Sequence, residues 1–260
     1  LEKLSIKLAE GKISYLSGGQ GKNMILLHSL NLSAKSWDPV FEPLAQKFTL
    51  YALDMPGHGD SNKPSQNYLI EDYAQSVITF MDKLKIDKAI LCGNSVGALI
   101  AVEMAASYAQ RVEKLILVGC PARDSWERME RLALSALSFD AEGNPRPFSM
   151  GELAMSFAHP TPDLLNWFNQ ERAKAGQWVK KTMIAISLYD VFPKLPLVQC
   201  PTLVLFGTKD ILREKEKVLL QGMKGSKSAL IEDAGHVPQV DQPEAFYKEV
   251  KHFLECNEIV

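Results

Sequence analysis

Short runs of uninterrupted apolar residues recur along the 260-residue chain, and each is followed by a stretch whose apolar positions return every three or four residues. The runs are NMILLHS (23–29), FTLYALD (48–54), KAILCGN (88–94), KLILVGC (114–120), PTLVLFGT (201–208) and SALIEDA (228–234). A strand with both faces buried lacks the polar alternation of a half-exposed one, so these runs predict parallel strands. Helical patterns begin near Trp37, Tyr68, Ser95, Glu214 and Pro243. The opening LSIKLAEGKISYLSGG alternates instead and predicts an antiparallel hairpin turning at Glu10 and Gly11. The expected class is α/β: a mostly parallel central sheet, wound through right-handed crossovers, with helices on both faces.

One interval breaks the rhythm. Residues 122–198 contain no strand pattern but four helical pieces: DSWERMERLALSALS, SMGELAMSFAH, TPDLLNWFNQERAKA and GQWVKKTMIAISLYD. Ser149 with Glu152 has capping-box spacing, and Thr161-Pro162 reads as an N-cap followed by a first helical position. The chain therefore divides into a core domain, 1–121 with 199–260, and a helical lid, 122–198. Inserted between two strands of a parallel sheet, the lid is expected over their carboxyl ends, where open α/β sheets bind ligands. It carries three of the four tryptophans, Trp126, Trp167 and Trp178. Trp126 is assigned to the apolar underside that meets substrate.

Composition narrows the partners. A 46% hydrophobic content supports a large core, and a net charge of −2, spread along the chain, offers no basic stripe for nucleic acid. No stretch has the apolar length of a membrane span. Cys92, Cys120, Cys200 and Cys256 lack any metal or redox spacing and read as small hydrophobes in a reducing, cytoplasmic compartment. The first residue is Leu1, so a trimmed leader and a shortened chain both stay open; oligomeric state is open too. No metal and no cofactor are expected.

The chemistry gathers at turns that follow strands. Gly93-Asn94-Ser95-Val96-Gly97 sits between a predicted strand and a predicted helix. There, glycines on either side relieve a sharp turn that lifts the serine hydroxyl out of the sheet edge. The Val96 amide begins the helix, where negative charge on a substrate oxygen is favoured. A serine needs a base held by a third group. Of five histidines, His236 lies in a glycine-flanked loop after the last predicted strand, whereas His28 and His58 read as structural and His252 as surface. Asp210, ending LFGTKD, is the preferred acid, and Asp124 is its rival. The Leu30 amide, in HSLNLSAKSW, pairs with Val96 as a second oxyanion donor.

In their order along the chain, the hairpin with SGGQG, HSLNLSAKSW, DMPGHGDSNKP, GNSVG, FGTKD and GHVPQVDQPE resemble the α/β-hydrolase fold superfamily. The resemblance covers nearly the whole chain and implies Ser95 as nucleophile, Asp210 as acid, His236 as base, Leu30 and Val96 as oxyanion donors, and 122–198 as a cap. Ser29 replaces a glycine that many members carry, which places a hydroxyl beside the substrate oxygen. Ser95 argues against dehalogenases and epoxide hydrolases, which use aspartate. Asn94 is similar to the residue found in carbon–carbon hydrolases of ring-fission dienones, although Val237 stands where those carry tryptophan. GNSVGALI also resembles the elbows of slow-turnover signalling receptors. Ser29, Asn94, Trp126 and Val237 are the expected substrate contacts. The leading expectation is a cofactor-free serine hydrolase of a small carboxylic ester, lactone or thioester; the carbon–carbon hydrolase and the receptor are its alternatives.

Overall fold

The computed structural model describes residues 1–9 and 11–255. Its strands are β1 (Glu2–Leu8), β2 (Gly11–Gly18), β3 (Lys22–Leu27), β4 (Phe48–Leu53), β5 (Ala89–Asn94), β6 (Val112–Val118), β7 (Thr202–Gly207) and β8 (Lys227–Ile231). Its helices are α1 (Asp38–Ala45), α2 (Ile70–Lys83), α3 (Val96–Ser107), α4 (Ser125–Ser135), α5 (Met150–Leu153), α6 (Pro162–Ala175), α7 (Trp178–Leu188), α8 (Lys215–Gly222), α9 (Pro238–Asp241) and α10 (Pro243–Glu255). The strands form one sheet in the order β1-β2-β4-β3-β5-β6-β7-β8. β2 pairs antiparallel with β1 and β4, and every other pairing is parallel.

The apolar runs are strands because alternate residues feed two separate cores. Ile25, Leu91, Leu117 and Phe206 pack with α2 and α3 on one face. Leu26, Cys92, Ile116 and Leu205 pack with Trp37, Phe41, Phe246 and Phe253 on the other. α3 is buried around nearly its whole circumference, from Val96 through Ala105. Burial at this level is worth about 1.5–3 kcal/mol for each large side chain.

Strand ends differ from the sequence expectation where glycines or positive φ angles intervene. β6 starts two residues early because Val112 pairs with Ala89, and it stops before Gly119, whose φ is 56°. β8 ends before Asp233, at φ 56°. Of the expected hairpin turn, Gly11 has φ 136°, while Glu10 lies outside the described residues.

Between β6 and β7 lie α4 to α7, with no strand beyond a single bridge from Phe139 to Pro145. Ser149 and Glu152 cap α5 reciprocally, and Thr161 accepts from the Leu164 amide at the start of α6. Of SMGELAMSFAH only Met150–Leu153 is helical. Two polar ties bind the insertion to the core. Lys174 on α6 pairs with Asp60, whose carboxyl is held down to about 2 by Lys174 and then Lys3. After α7, the Tyr189 hydroxyl donates to Glu103 Oε2 at 2.8 Å, and Lys194 Nζ donates to Glu103 Oε1 at 3.0 Å. Glu103 is buried in α3, so each donor offsets part of its desolvation.

Tyr189→Phe removes one of those donors while keeping the ring, and should lower stability by about 1–3 kcal/mol. The measurement is a urea unfolding midpoint at unchanged slope; an unchanged midpoint would show that Lys194 and the Ser107 hydroxyl, which donates to Glu103 Oε1 at 2.5 Å, satisfy Glu103 without Tyr189.

Candidate active site

Ser95 forms the junction between β5 and α3 at φ 57°, ψ −113°, a conformation uncommon for any residue but glycine. Its N–H donates to the Val118 carbonyl on β6 at 2.8 Å. The turn is tight enough that a Cβ on Gly93 would lie 2.1 Å from the Gly97 carbonyl oxygen, and one on Gly97 would lie 2.3 Å from that of Leu27. Both glycines are therefore steric requirements of the serine's position.

His236 sits in the loop after β8, and its Nδ1 is 3.0 Å from Asp210 Oδ2. The Asp210 side chain is fully buried, and its other oxygen accepts the Leu212 amide at 2.9 Å. Donation from Nδ1–H to Asp210 leaves His236 Nε2 as the basic nitrogen. Ser95 and His236 line one cavity of about 100 Å³. Among the described residues no hydrogen bond joins their side chains; such contacts often tighten only when substrate is bound. The rival acid, Asp124, is spent elsewhere: its Oδ1 accepts the Glu127 amide at 2.9 Å and caps α4.

Ser29, Leu30 and Val237 also line the cavity. The Leu30 and Val96 amides, one in the loop after β3 and one opening α3, donate to no backbone carbonyl among the described residues. The loop is set by His28, whose Nδ1 donates to the Ser29 carbonyl at 2.7 Å and whose Nε2 accepts the Met55 amide at 3.0 Å. His28 and His58, whose rings meet tilted at 57° with centroids 5.4 Å apart, are fully buried, in keeping with structural roles.

Two expected substrate contacts lie elsewhere. Trp126 is 76% exposed and is not part of the cavity wall, because α4 turns that face outward. Asn94 is wholly buried: its Nδ2 donates to the carbonyls of His236, at 3.0 Å, and Val118, at 3.2 Å. It links the serine turn to the histidine loop instead of reaching a ligand.

Other contributors went unread. Asp241 Oδ2 accepts the amides of Gly235 at 2.7 Å and Ala158 at 2.9 Å, and the His236 amide donates to the Ser156 carbonyl at 2.8 Å. The histidine loop is thereby fastened to the helical insertion, and an aspartate five residues past His236 was the available signal. The insertion also supplies cavity walls through Arg131, Met155, Phe168, Met183 and Ile186. A Cβ on Gly119 would come within 2.8 Å of His236 Nδ1 and 3.0 Å of Asp210 Oδ2. Among the described residues no group of three histidine, cysteine or acidic side chains is placed to hold a metal, and no helix is long and apolar enough to cross a membrane.

A family model described as the alpha/beta hydrolase family matches residues 24–249. The chain belongs to the alpha/beta hydrolase family. This hydrolase is similar to a pimeloyl-acyl-carrier-protein methyl ester esterase of Nitrosospira multiformis, with 26% identity over 257 residues covering 90% of this chain and 95% of the relative. Among solved structures it is similar to the enol-lactonase of Burkholderia xenovorans, with TM-score 0.81 and 26% identity, covering 97% of this chain and 100% of that one. It is also similar to a bacterial membrane phospholipase A, with TM-score 0.87 and 26% identity, covering 100% and 87% of the two chains.

Burial pushes His28 down to about 4, and burial followed by the neighbouring His28 pushes His58 down to about 3. Both fall from an ordinary value of about 6.5. Below that ordinary value the unfolded chain takes up protons the folded chain refuses, so stability falls as pH drops from about 6.5 toward 4, by up to about 1.4 kcal/mol per pH unit for each histidine. Unfolding midpoints between pH 7 and 5 should decline accordingly, and His58→Gln should flatten the decline; equal slopes in both proteins would refute the assignment.

Proposed function

We propose that this hydrolase cleaves a small carboxylic ester, or a lactone or thioester by the same chemistry, through an acyl-enzyme on Ser95. The observation that carries the reading is the contact of His236 with buried Asp210 at 3.0 Å, in a wall of the cavity that Ser95 also lines. His236 Nε2 accepts the Ser95 hydroxyl proton as Oγ attacks the carbonyl carbon. The oxyanion of the tetrahedral intermediate rests on the Leu30 and Val96 amides, which have no backbone acceptor of their own among the described residues. His236 then gives its proton to the leaving alcohol oxygen. A water, deprotonated by the same nitrogen, attacks the acyl carbon and frees Ser95 and the carboxylic acid.

Ester chemistry in the relatives agrees with this reading: one is an esterase of a methyl ester and another an enol-lactonase. Residues 122–198 act as a cap, since Phe168, Met183 and Ile186 from that interval wall the cavity. The substrate partner is thus a small molecule with an acyl chain that fits an apolar wall. Free thiols at Cys92, Cys120 and Cys200 support a reducing, cytoplasmic setting; Cys256 lies outside the described residues.

Turnover of 4-nitrophenyl esters of graded chain length should begin with a burst of one equivalent. Ser95→Ala should abolish the burst and the steady state in a folded protein, and retained activity would end the proposal. Asp210→Asn should cost roughly ten-thousand-fold in kcat, as loss of the tautomer-setting acid does elsewhere. Asp124→Asn should change kcat little, and the reverse ranking would move the acid to Asp124.

A further inference from the structure

Arg123 and Arg131 line the same cavity as Ser95 and His236. Arg123 follows β6, the strand beside the one that carries Ser95, and Arg131 lies two helical turns on, in α4. A second, smaller recess adjoins the cavity and shares Pro121, Arg123, Arg131, Met183 and Ile186 with it. Arg123 is half-buried and Arg131 stands exposed at the mouth.

Among the described residues neither guanidinium has an ion pair or hydrogen bond. The acids nearby are already engaged: Glu127 with Lys215, Asp190 with Arg128 at 3.3 Å, and Asp210 with His236. Arg128, by contrast, is committed, donating also to the carbonyls of Ser187 and Arg123. Partial burial and then the charge of Arg131 lower the Arg123 pKa, and the nearby charges of Glu127 and Asp210, neither of them paired with Arg123, offset only part of that. Two unpaired cations in a recess that Pro121, Met183 and Ile186 also line raise the local concentration of anions, and a guanidinium fork matches an oxyanion with two parallel hydrogen bonds.

We propose that the substrate of this hydrolase carries an oxyanion, a carboxylate or a phosphate-like group, remote from its scissile ester, and that Arg123 and Arg131 bind it. This rests on the ester reading above and names the substrate class for it: an anionic half-ester, in preference to a neutral one. The recess that both cations share with the cavity is lined by residues of α4 and α7 and not by Leu30 or Ser95, so the anion tail extends toward the insertion while the carbonyl stays at Ser95.

The test compares three methyl esters of matched length, followed by acid release: methyl hexanoate, monomethyl adipate and methyl 5-phosphonopentanoate. The wild-type protein should favour at least one anionic ester over methyl hexanoate in kcat/KM. Arg123→Gln and Arg131→Gln should each reduce that preference by roughly tenfold to hundredfold, mainly through KM, as loss of a hydrogen bond to a charged group does. The ranking of adipate against phosphonate identifies the oxyanion. Wild-type cleavage of methyl hexanoate as fast as both anionic esters would overturn this inference and leave the ester reading standing. A fall of equal size on all three esters in the variants would also overturn it, since it would mark the arginines as merely structural. Cleavage of none of the three by wild-type protein would bring down the ester reading and this inference together.

Discussion

The geometry of this hydrolase depends on one strained residue. Ser95, at φ 57°, joins a strand and a helix that are both buried, and backbone conformations of this kind cost about 1–3 kcal/mol unless the surroundings hold them. Three neighbours hold this one. β6 accepts the serine amide through Val118, and Gly97 packs bare against the backbone of β3 at Leu27. Gly93 leaves room for the first turn of α3 to fold back over β5. The turn is thus braced by β3 and β6, the two strands that flank β5, which explains how so strained a residue is held in place.

The other site loops are fixed to that base by polar ties. Asn94, adjoining the serine, donates to the carbonyl of His236, and Gln239 in α9 donates to Asn94 at 3.4 Å. Asp241 then gathers amides from the histidine loop and from Ala158. The serine turn, the histidine loop and the helical insertion are therefore joined through backbone groups and not only through the side chains that would react. An amide in the elbow position makes sense in these terms. Its two donors reach two carbonyls at once, which a side chain reserved for a ligand could not do.

The fold was legible in the sequence because both sheet faces are covered, and covering both faces produces the unbroken apolar runs. That Ser95, Asp210 and His236 would come together was legible because each follows a strand at its carboxyl end. Orientation was not legible. α4 is inverted relative to the usual rule: Trp126 and Met129 are 76% and 62% exposed, while Arg128 is turned inward and Arg131 lines the cavity. A reading from hydrophobicity chooses Trp126 as the inward residue, because periodicity gives the faces of a helix but not which of them is docked. Asn94 failed for a related reason: residue type reveals that an amide has donors, and only the tertiary structure reveals that carbonyls from β6 and the histidine loop consume them. Asp124 and Asp210 both follow strands, and only the position of His236 separates a helix cap from a partner of imidazole.

Gly119 carries no functional group, yet its α-carbon faces the contact between His236 and Asp210 with room for no more than hydrogen. The pair is consequently vulnerable from a third strand. A single added methyl group at a residue with no chemistry of its own would have to displace either the imidazole or the carboxylate. Tolerance to sequence drift in this protein is therefore set partly by empty space, and the least forgiving positions include some that a search for reactive groups would pass over.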